Sequence, residues 1–192
     1  HNYVLQARNN EARLLQCQVL ESAKVFYGPG HPKTLQIMDT LGATCLLCSR
    51  FAEANRLHSE VIEKLSKLEG FGPEHESTLT SVDNLSKVRL RYLDNKEAFR
   101  LQLQAYEGLL KVLGRTHHKT LEAKNNLAEI FGFIGEEHLL QAHEMCEEVL
   151  EIRTRELGRE HPFTLKSKLT LAKIKTAMNH FDEAEQIFQE GL

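Results

Sequence analysis

Tryptophan is absent from this 192-residue sequence, and proline and cysteine occur only four times each. No stretch approaches the roughly 18 uninterrupted apolar residues that a membrane-spanning helix needs. The opening His1-Asn2-Tyr3-Val4 has neither the basic region nor the apolar core of a secretory leader. Charge of one sign is also missing. A net charge of −3 and a pI near 6.4 give no pull toward nucleic acid or an anionic membrane. Cys17, Cys45, Cys48 and Cys146 are scattered and sit mostly at apolar positions, which suits reduced thiols in a cytoplasmic core better than a disulfide framework. Strand-like alternation bounded by turn signals is lacking as well. What is present is 41% hydrophobic and 27% charged residues, enough apolar material for a core. The length predicts one domain, or at most two, and the chain reads as all-α.

Self-similarity dominates the rest. Four segments align: Gly28-Pro-Gly-His31-Pro-Lys-Thr34-Leu35, Gly72-Pro-Glu-His75-Glu-Ser-Thr78-Leu79, Gly114-Arg-Thr-His117-His-Lys-Thr120-Leu121 and Gly158-Arg-Glu-His161-Pro-Phe-Thr164-Leu165. Their threonines are 44, 42 and 44 residues apart. A second marker, usually Glu-Ala, recurs at Ala12, Ala54, Ala98, Ala142 and Ala184 with spacings of 42, 44, 44 and 42. Two independent markers on one period predict stacked repeats of a single supersecondary unit.

That unit is a helix–turn–helix. Each glycine follows an apolar residue (Tyr27, Phe71, Leu113, Leu157), as a left-handed stop just past a helix end would. Pro32 and Pro162 stand where a first helical residue needs no backbone donor. His31 and His161 are then N-caps, and the following threonines are expected to bond within the first turn. Leu35, Met38, Leu41, Gly42, Cys45 and Cys48 define one helical face; Leu121, Leu127, Ala128, Phe131 and Ile134 repeat it. The second helix buries Ala54, Leu57, Val61, Ile62, Leu65 and Leu68, and in the next unit Ala98, Leu101, Ala105, Tyr106 and Leu109. The small alanine lets two helices approach closely.

Length varies only at corners, as a stacked-hairpin architecture tolerates. Thr to Ala spans 20 residues in three units and 22 in the third, where Gly135-Glu-Glu-His extends the turn. The register divides the chain into a partial repeat over 1–27, repeats over 28–71, 72–113 and 114–157, and a shorter terminal repeat over 158–192. Residues 1–8 are expected to be the tail of a first helix, and the whole to be a fragment of a longer array.

The pattern Gly-x-x-His-Pro-x-Thr-Leu, then Asn125-Asn126-Leu127-Ala128 (with Asp83-Asn84-Leu85-Ser86 a near copy), then Glu-Ala, resembles the kinesin-light-chain type of tetratricopeptide repeat. Relatives of this repeat occur in fungal and bacterial receptors of the nucleotide-oligomerising immune type, in kinesin light chains and in nephrocystin-like proteins. Departures are Arg89 and Lys175 at a usually apolar position, His117-His118 for His-Pro, and Gln141 for Glu. The resemblance implies a right-handed αα-superhelix of about 4.5 repeats with the first helices lining a concave groove. It implies a non-catalytic module that binds a protein or peptide partner, most simply the ligand-sensing region of a larger cytosolic receptor. A cargo or scaffold adaptor, or an architectural solenoid self-associating through uncapped ends, are the alternatives. Carried over to this sequence, the groove residues are Asn84, Lys87, Arg91, Asn125 and Asn126. Asparagine suits such a groove because its amide both donates and accepts.

Other chemistry is weakly signalled. The four corner histidines come from equivalent turns, which stacking separates by roughly a helix diameter, too far for one metal ion held at about 2 Å. Cys45-x-x-Cys48 lacks a second pair and lies on the apolar face. Gly28-Pro-Gly-His-Pro-Lys33-Thr34 lacks the preceding strand of a phosphate loop. Asn84-Leu85-Ser86 matches a glycosylation acceptor but falls within a helix. No nucleophile–base arrangement can be placed, so no catalytic residue, metal or cofactor is expected.

Overall fold

A computed structural model describes residues 2–189, with side chains from Gln6 onward. Among the described residues there are nine α-helices and no strand: α1 (Asn2–Tyr27), α2 (Pro32–Leu47), α3 (Phe51–Lys67), α4 (Glu76–Arg91), α5 (Asn95–Leu113), α6 (His118–Ile134), α7 (Leu139–Leu157), α8 (Pro162–Ala177) and α9 (Phe181–Gln189). They form two compact units, His1–Gly108 and Leu109–Leu192. The chain does not turn near residue 8: α1 runs unbroken through the stretch expected to end a first helix, so that expectation is corrected.

The repeated turn explains why the helices start where they do. Gly28, Gly72, Gly114 and Gly158 all have φ between 78° and 96°, the left-handed region that stops the preceding helix. Each corner histidine then caps the next helix. Nδ1 of His31, His75, His117 and His161 accepts the backbone N–H of the residue two further on, at 3.1–3.3 Å. The aromatic ahead of the glycine packs on the capping ring, Tyr27 on His31 at 5.0 Å and Phe71 on His75 at 4.4 Å. The threonines do not bond within their own first turn. Thr34 and Thr78 donate to the carbonyls of Gly28 and Gly72 at 2.8 and 2.7 Å, and Thr120 to Leu109 at 3.2 Å. These three tie the starts of α2, α4 and α6 to the turn or helix before them, while Thr164 Oγ1 is buried without a hydrogen-bond partner.

At the corner inside a hairpin, Ser49, Leu93 and Asn179 take φ of 59–63°. The third corner carries the two extra residues and solves the turn with an extended Gly135 and a single 3-10 turn over Glu136–His138. A left-handed leucine is unfavourable by about 1–2 kcal/mol, and the Leu93 side chain is exposed. Leu93→Gly is therefore expected to stabilise the chain by up to about 1 kcal/mol, read as a raised urea midpoint.

The core follows the repeat. In the first unit Leu20, Leu35, Met38, Leu41, Cys45, Ala54, Leu57, Val61, Leu65 and Val88 form one cluster, and Val82, Leu85, Leu101 and Ala105 another. In the second unit Leu121, Val149 and Ile152 pack together, with Leu127, Ala128, Phe131, Leu171 and Ile174 also buried. Marker alanines Ala54, Ala98, Ala142 and Ala184 are buried, whereas Ala12 is exposed.

Candidate functional site: the faces of the first helices

Within each unit the first helices lie side by side, α2 with α4 and α6 with α8. Positions two, six, nine and thirteen after the repeat threonine share one helical face, at roughly 100° per residue. In the first unit these are Gln36, Thr40, Ala43 and Leu47 on α2, and Thr80, Asn84, Lys87 and Arg91 on α4. In the second they are Glu122, Asn126, Glu129 and Phe133 on α6, and Lys166, Thr170, Lys173 and Ala177 on α8.

In the first unit a polar chain runs under this face. Asp39 meets Nδ1 of the fully enclosed His58 at 2.7 Å and accepts from Asn84 Nδ2 at 3.0 Å. Lys87 donates to Asn84 Oδ1 at 3.4 Å and pairs with Asp83 at 2.8 Å. Asp83 also accepts from Gln102 Nε2 at 2.5 Å, and Ser86 donates to Gln102 Oε1. Asn84 and Lys87 are thus brought together, half-buried, by hydrogen bonds that fix both side chains. Arg91 stands exposed at the end of α4, as Leu47 does at the end of α2.

The second unit differs. Asn125, expected on the open face, is fully enclosed and donates to Thr170 Oγ1 at 3.0 Å. Asn126 is also buried, with Lys166 donating to its Oδ1 at 3.4 Å. The reason is angular. Position five lies roughly 70° from the middle of the outward face, on the flank where Asp39 meets Asn84 of α4 and Asn125 meets Thr170 of α8. The shared register of Asp39, Asp83 and Asn125 was the signal that these are packing residues. What lies outermost is a set of ion pairs from α6 to α8: Lys173 meets Glu129 at 2.7 Å, and Lys166 meets Glu122. Phe133 is exposed at the end of α6.

Comparison with known proteins matches this geometry. A tetratricopeptide-repeat family model matches residues 135–192. Among solved structures, a kinesin-light-chain-like protein from Podosopora anserina with nearly identical TPR-like repeats aligns over 99% of this chain and 91% of its own, at 25% identity and TM-score 0.67; a single-substitution variant of it gives 0.69. No curated protein matches. The last part of the chain matches the tetratricopeptide-repeat family, and the whole chain is similar in fold to the TPR-like repeats of that kinesin-light-chain-like protein. BtubC (BKLC) from P. vanneervenii shares the fold at TM-score 0.73 and 18% identity, over 96% of this chain and 72% of that one.

The tetratricopeptide fold is generally non-catalytic and generally binds protein. The cysteines fit a packing role here. Burial pushes the Cys45 and Cys146 thiols up to about 12, far from the thiolate a nucleophile needs. Among the described residues no cluster of three His, Cys, Asp or Glu could hold a metal, and no helix is long and apolar enough to cross a membrane.

Electrostatics in the second unit make one pH prediction. Glu148 accepts from Arg115 at 2.7 Å and pairs with Lys124, and these contacts, Arg115 first, hold its carboxyl below the usual value of 4.5. A depressed carboxylate stabilises above its unfolded pKa and loses that contribution as pH falls through the folded one. Thermal midpoints should therefore drop below about pH 4.5, and Glu148→Gln should flatten that part of the profile.

Proposed function

We propose that the chain is a protein- or peptide-binding module whose contacts are made by the first-helix faces, and that it serves as the ligand-sensing or interaction region of a larger cytosolic receptor. One observation carries the reading. Position thirteen after the repeat threonine presents an exposed Leu47 and Arg91 on the two first helices of the first unit, and separately an exposed Phe133 on α6 of the second. Exposed apolar side chains and arginine at one repeated position are what interface centres are made of. Asn84 and Lys87, held by Asp39 and Asp83, supply a polar surround whose geometry is set before a ligand arrives, which reduces the ordering cost of binding. The partner is a protein or peptide, because the faces mix charges of both signs with amides, hydroxyls and apolar side chains rather than presenting a basic patch.

A cargo adaptor is the second reading, favoured by 25% identity along 99% of the chain to the kinesin-light-chain-like protein. Both readings share one test. A peptide library is screened against the whole chain, and selected peptides are measured by anisotropy against Leu47→Ala, Arg91→Ala and Phe133→Ala. Loss of about tenfold or more on at least one variant is expected of an anchor residue. Equal affinity for the parent and all three variants rejects the first-helix faces as the binding surface.

A further inference from the structure

The turn after α4 breaks two rules at one residue. It is built from the same hydrogen bonds as the turn after α2: the N–H groups of Ser49 and Arg50 meet the carbonyls of Leu46 and Cys45, and those of Leu93 and Asp94 meet the carbonyls of Leu90 and Arg89. The left-handed residue of this turn is polar after α2 and α8, where Ser49 and Asn179 stand. After α4 it is Leu93, with φ of 59° and 84% of its surface exposed. A bulky side chain at positive φ is unfavourable, and this one buries almost nothing in return. Strain kept at an exposed position points to function rather than to the fold.

Leu93 does not stand alone. Tyr92 beside it is 48% exposed, and its ring stands edge-on to that of Phe51 with centroids 6.4 Å apart. That contact joins the α2–α3 and α4–α5 corners of the first unit into one apolar patch. The charge around it is one-sided. Residues 89–96, Arg-Leu-Arg-Tyr-Leu-Asp-Asn-Lys, hold three cations and one anion in a chain of net charge −3. The carboxylates nearby are spent: Asp94 Oδ1 accepts the N–H of Glu97 at 3.3 Å, Glu53 pairs with Arg50 at 2.5 Å and Glu97 with Arg100 at 2.7 Å. Arg91 and Lys96 are exposed and have no carboxylate partner among the described residues.

We propose that this corner patch docks an amphipathic helix of a partner protein whose apolar stripe is flanked by carboxylates. The stripe covers Leu93 and the Tyr92–Phe51 ring pair, and the carboxylates meet Arg91 and Lys96. A helix fits better than an added strand, because the corner N–H groups a strand would need are already bonded within the chain. Recognition therefore falls to side chains, which a helix presents with its own backbone satisfied. An acidic protein surface fits better than an anionic membrane, because Asp94 directly follows the leucine that would have to enter the headgroups and only two unpaired cations oppose it. The patch lies at the corners and shares only Arg91 with the first-helix faces.

The test titrates the whole chain against a fluorescein-labelled, hydrocarbon-stapled helical peptide with a leucine stripe and glutamates on both flanks, and against a twin with lysines in place of the glutamates. Saturable one-to-one binding of the glutamate peptide is expected in anisotropy, about tenfold or more tighter than the twin. Leu93→Asn gives this turn the residue that Asn179 supplies after α8. It should raise the urea midpoint of the chain and yet weaken binding by about tenfold or more, a combination that a purely structural leucine would not give. Lys96→Glu should narrow the preference between the two peptides. No binding of the glutamate peptide, binding that Leu93→Asn leaves unchanged, or equal binding of the lysine twin overturns the proposal. So does co-sedimentation of the chain with phosphatidylserine vesicles that Leu93→Asn abolishes, since the patch would then be a membrane contact. The first-helix faces are tested through Leu47, Arg91 and Phe133, so failure of either reading leaves the other standing.

Discussion

Arg153→Ala is expected to lower the unfolding free energy by about 3 kcal/mol, seen as a shift in the urea midpoint at unchanged slope. The guanidinium is almost wholly enclosed in the second unit, where it makes three polar contacts in different directions. It donates to the Phe163 carbonyl at 3.0 Å, to Ser167 Oγ at 2.9 Å and to Glu122 at 2.9 Å, with its plane over the Phe163 ring at 5.5 Å. One side chain of α7 thus ties α6 to α8. Breaking a buried ion pair costs about 3–5 kcal/mol because it strands a charge. Glu122 keeps Lys166 as a partner, and Ser167 Oγ can still donate to the Phe163 carbonyl, so the lower end applies. The same position holds Ala23, Leu65 and Leu109 in the other second-type helices, all buried. Arg153→Leu, which restores the residue type of its equivalents, should therefore cost less than Arg153→Ala. Arg153→Lys should fall between parent and alanine, because an ammonium cannot reach three acceptors as the planar fork does. If leucine proves as damaging as alanine, the hydrogen-bonded fork rather than packing volume holds this part of the unit.

Arg153 also shows where the sequence could and could not be read. The corners were legible because each depends on local chemistry: a glycine forced to positive φ, a histidine within reach of the next N–H, a proline where no donor is needed. The apolar faces were legible because their spacing repeats four times. The open face was legible in part. Lys87 and Arg91 follow from the helical angle alone, and Leu47 and Phe133 share the register of Arg91. Asn125 and Asn126 did not follow, because their burial depends on α8 lying beside α6, and no local property of the sequence states that distance. The aspartate at position five was readable in principle. Asp39 and Asp83 recur in register, and His58 and Gln102 each stand 19 residues later, but a polar residue beside an open face reads as solvated until its partner helix is in place. The unbroken course of α1 was missed for the same reason: corner residues seen elsewhere, such as Ser49 and Asn179, have no equivalent glycine signal to mark them.

Gly42→Ser is expected to destabilise the chain by about 1–3 kcal/mol, and the loss should be largely recovered when it is combined with His58→Gln. A Cβ at position 42 would lie 2.7 and 2.8 Å from Cε1 and Nε2 of His58, and the ring is fully enclosed and tethered to Asp39, so it has no room to swing away. Alanine or serine would otherwise gain about 0.5–1 kcal/mol over glycine inside a helix; the steric overlap is what turns the sign. The second repeat solves the same space differently, with Ser86 where Gly42 stands and Gln102 where His58 stands, around Asp83 instead of Asp39. The two residues therefore share one volume, and exchanging both transplants a packing that the chain already uses. His58→Gln alone should be destabilising too, since it leaves space against Gly42 and an amide oxygen without the serine donor. A double-mutant cycle on unfolding free energies reads the coupling directly. Strong compensation in the pair supports a shared cavity between α2 and α3, whereas simple additivity of the two single losses would show that the positions relax independently and that the repeat equivalence does not extend to this contact.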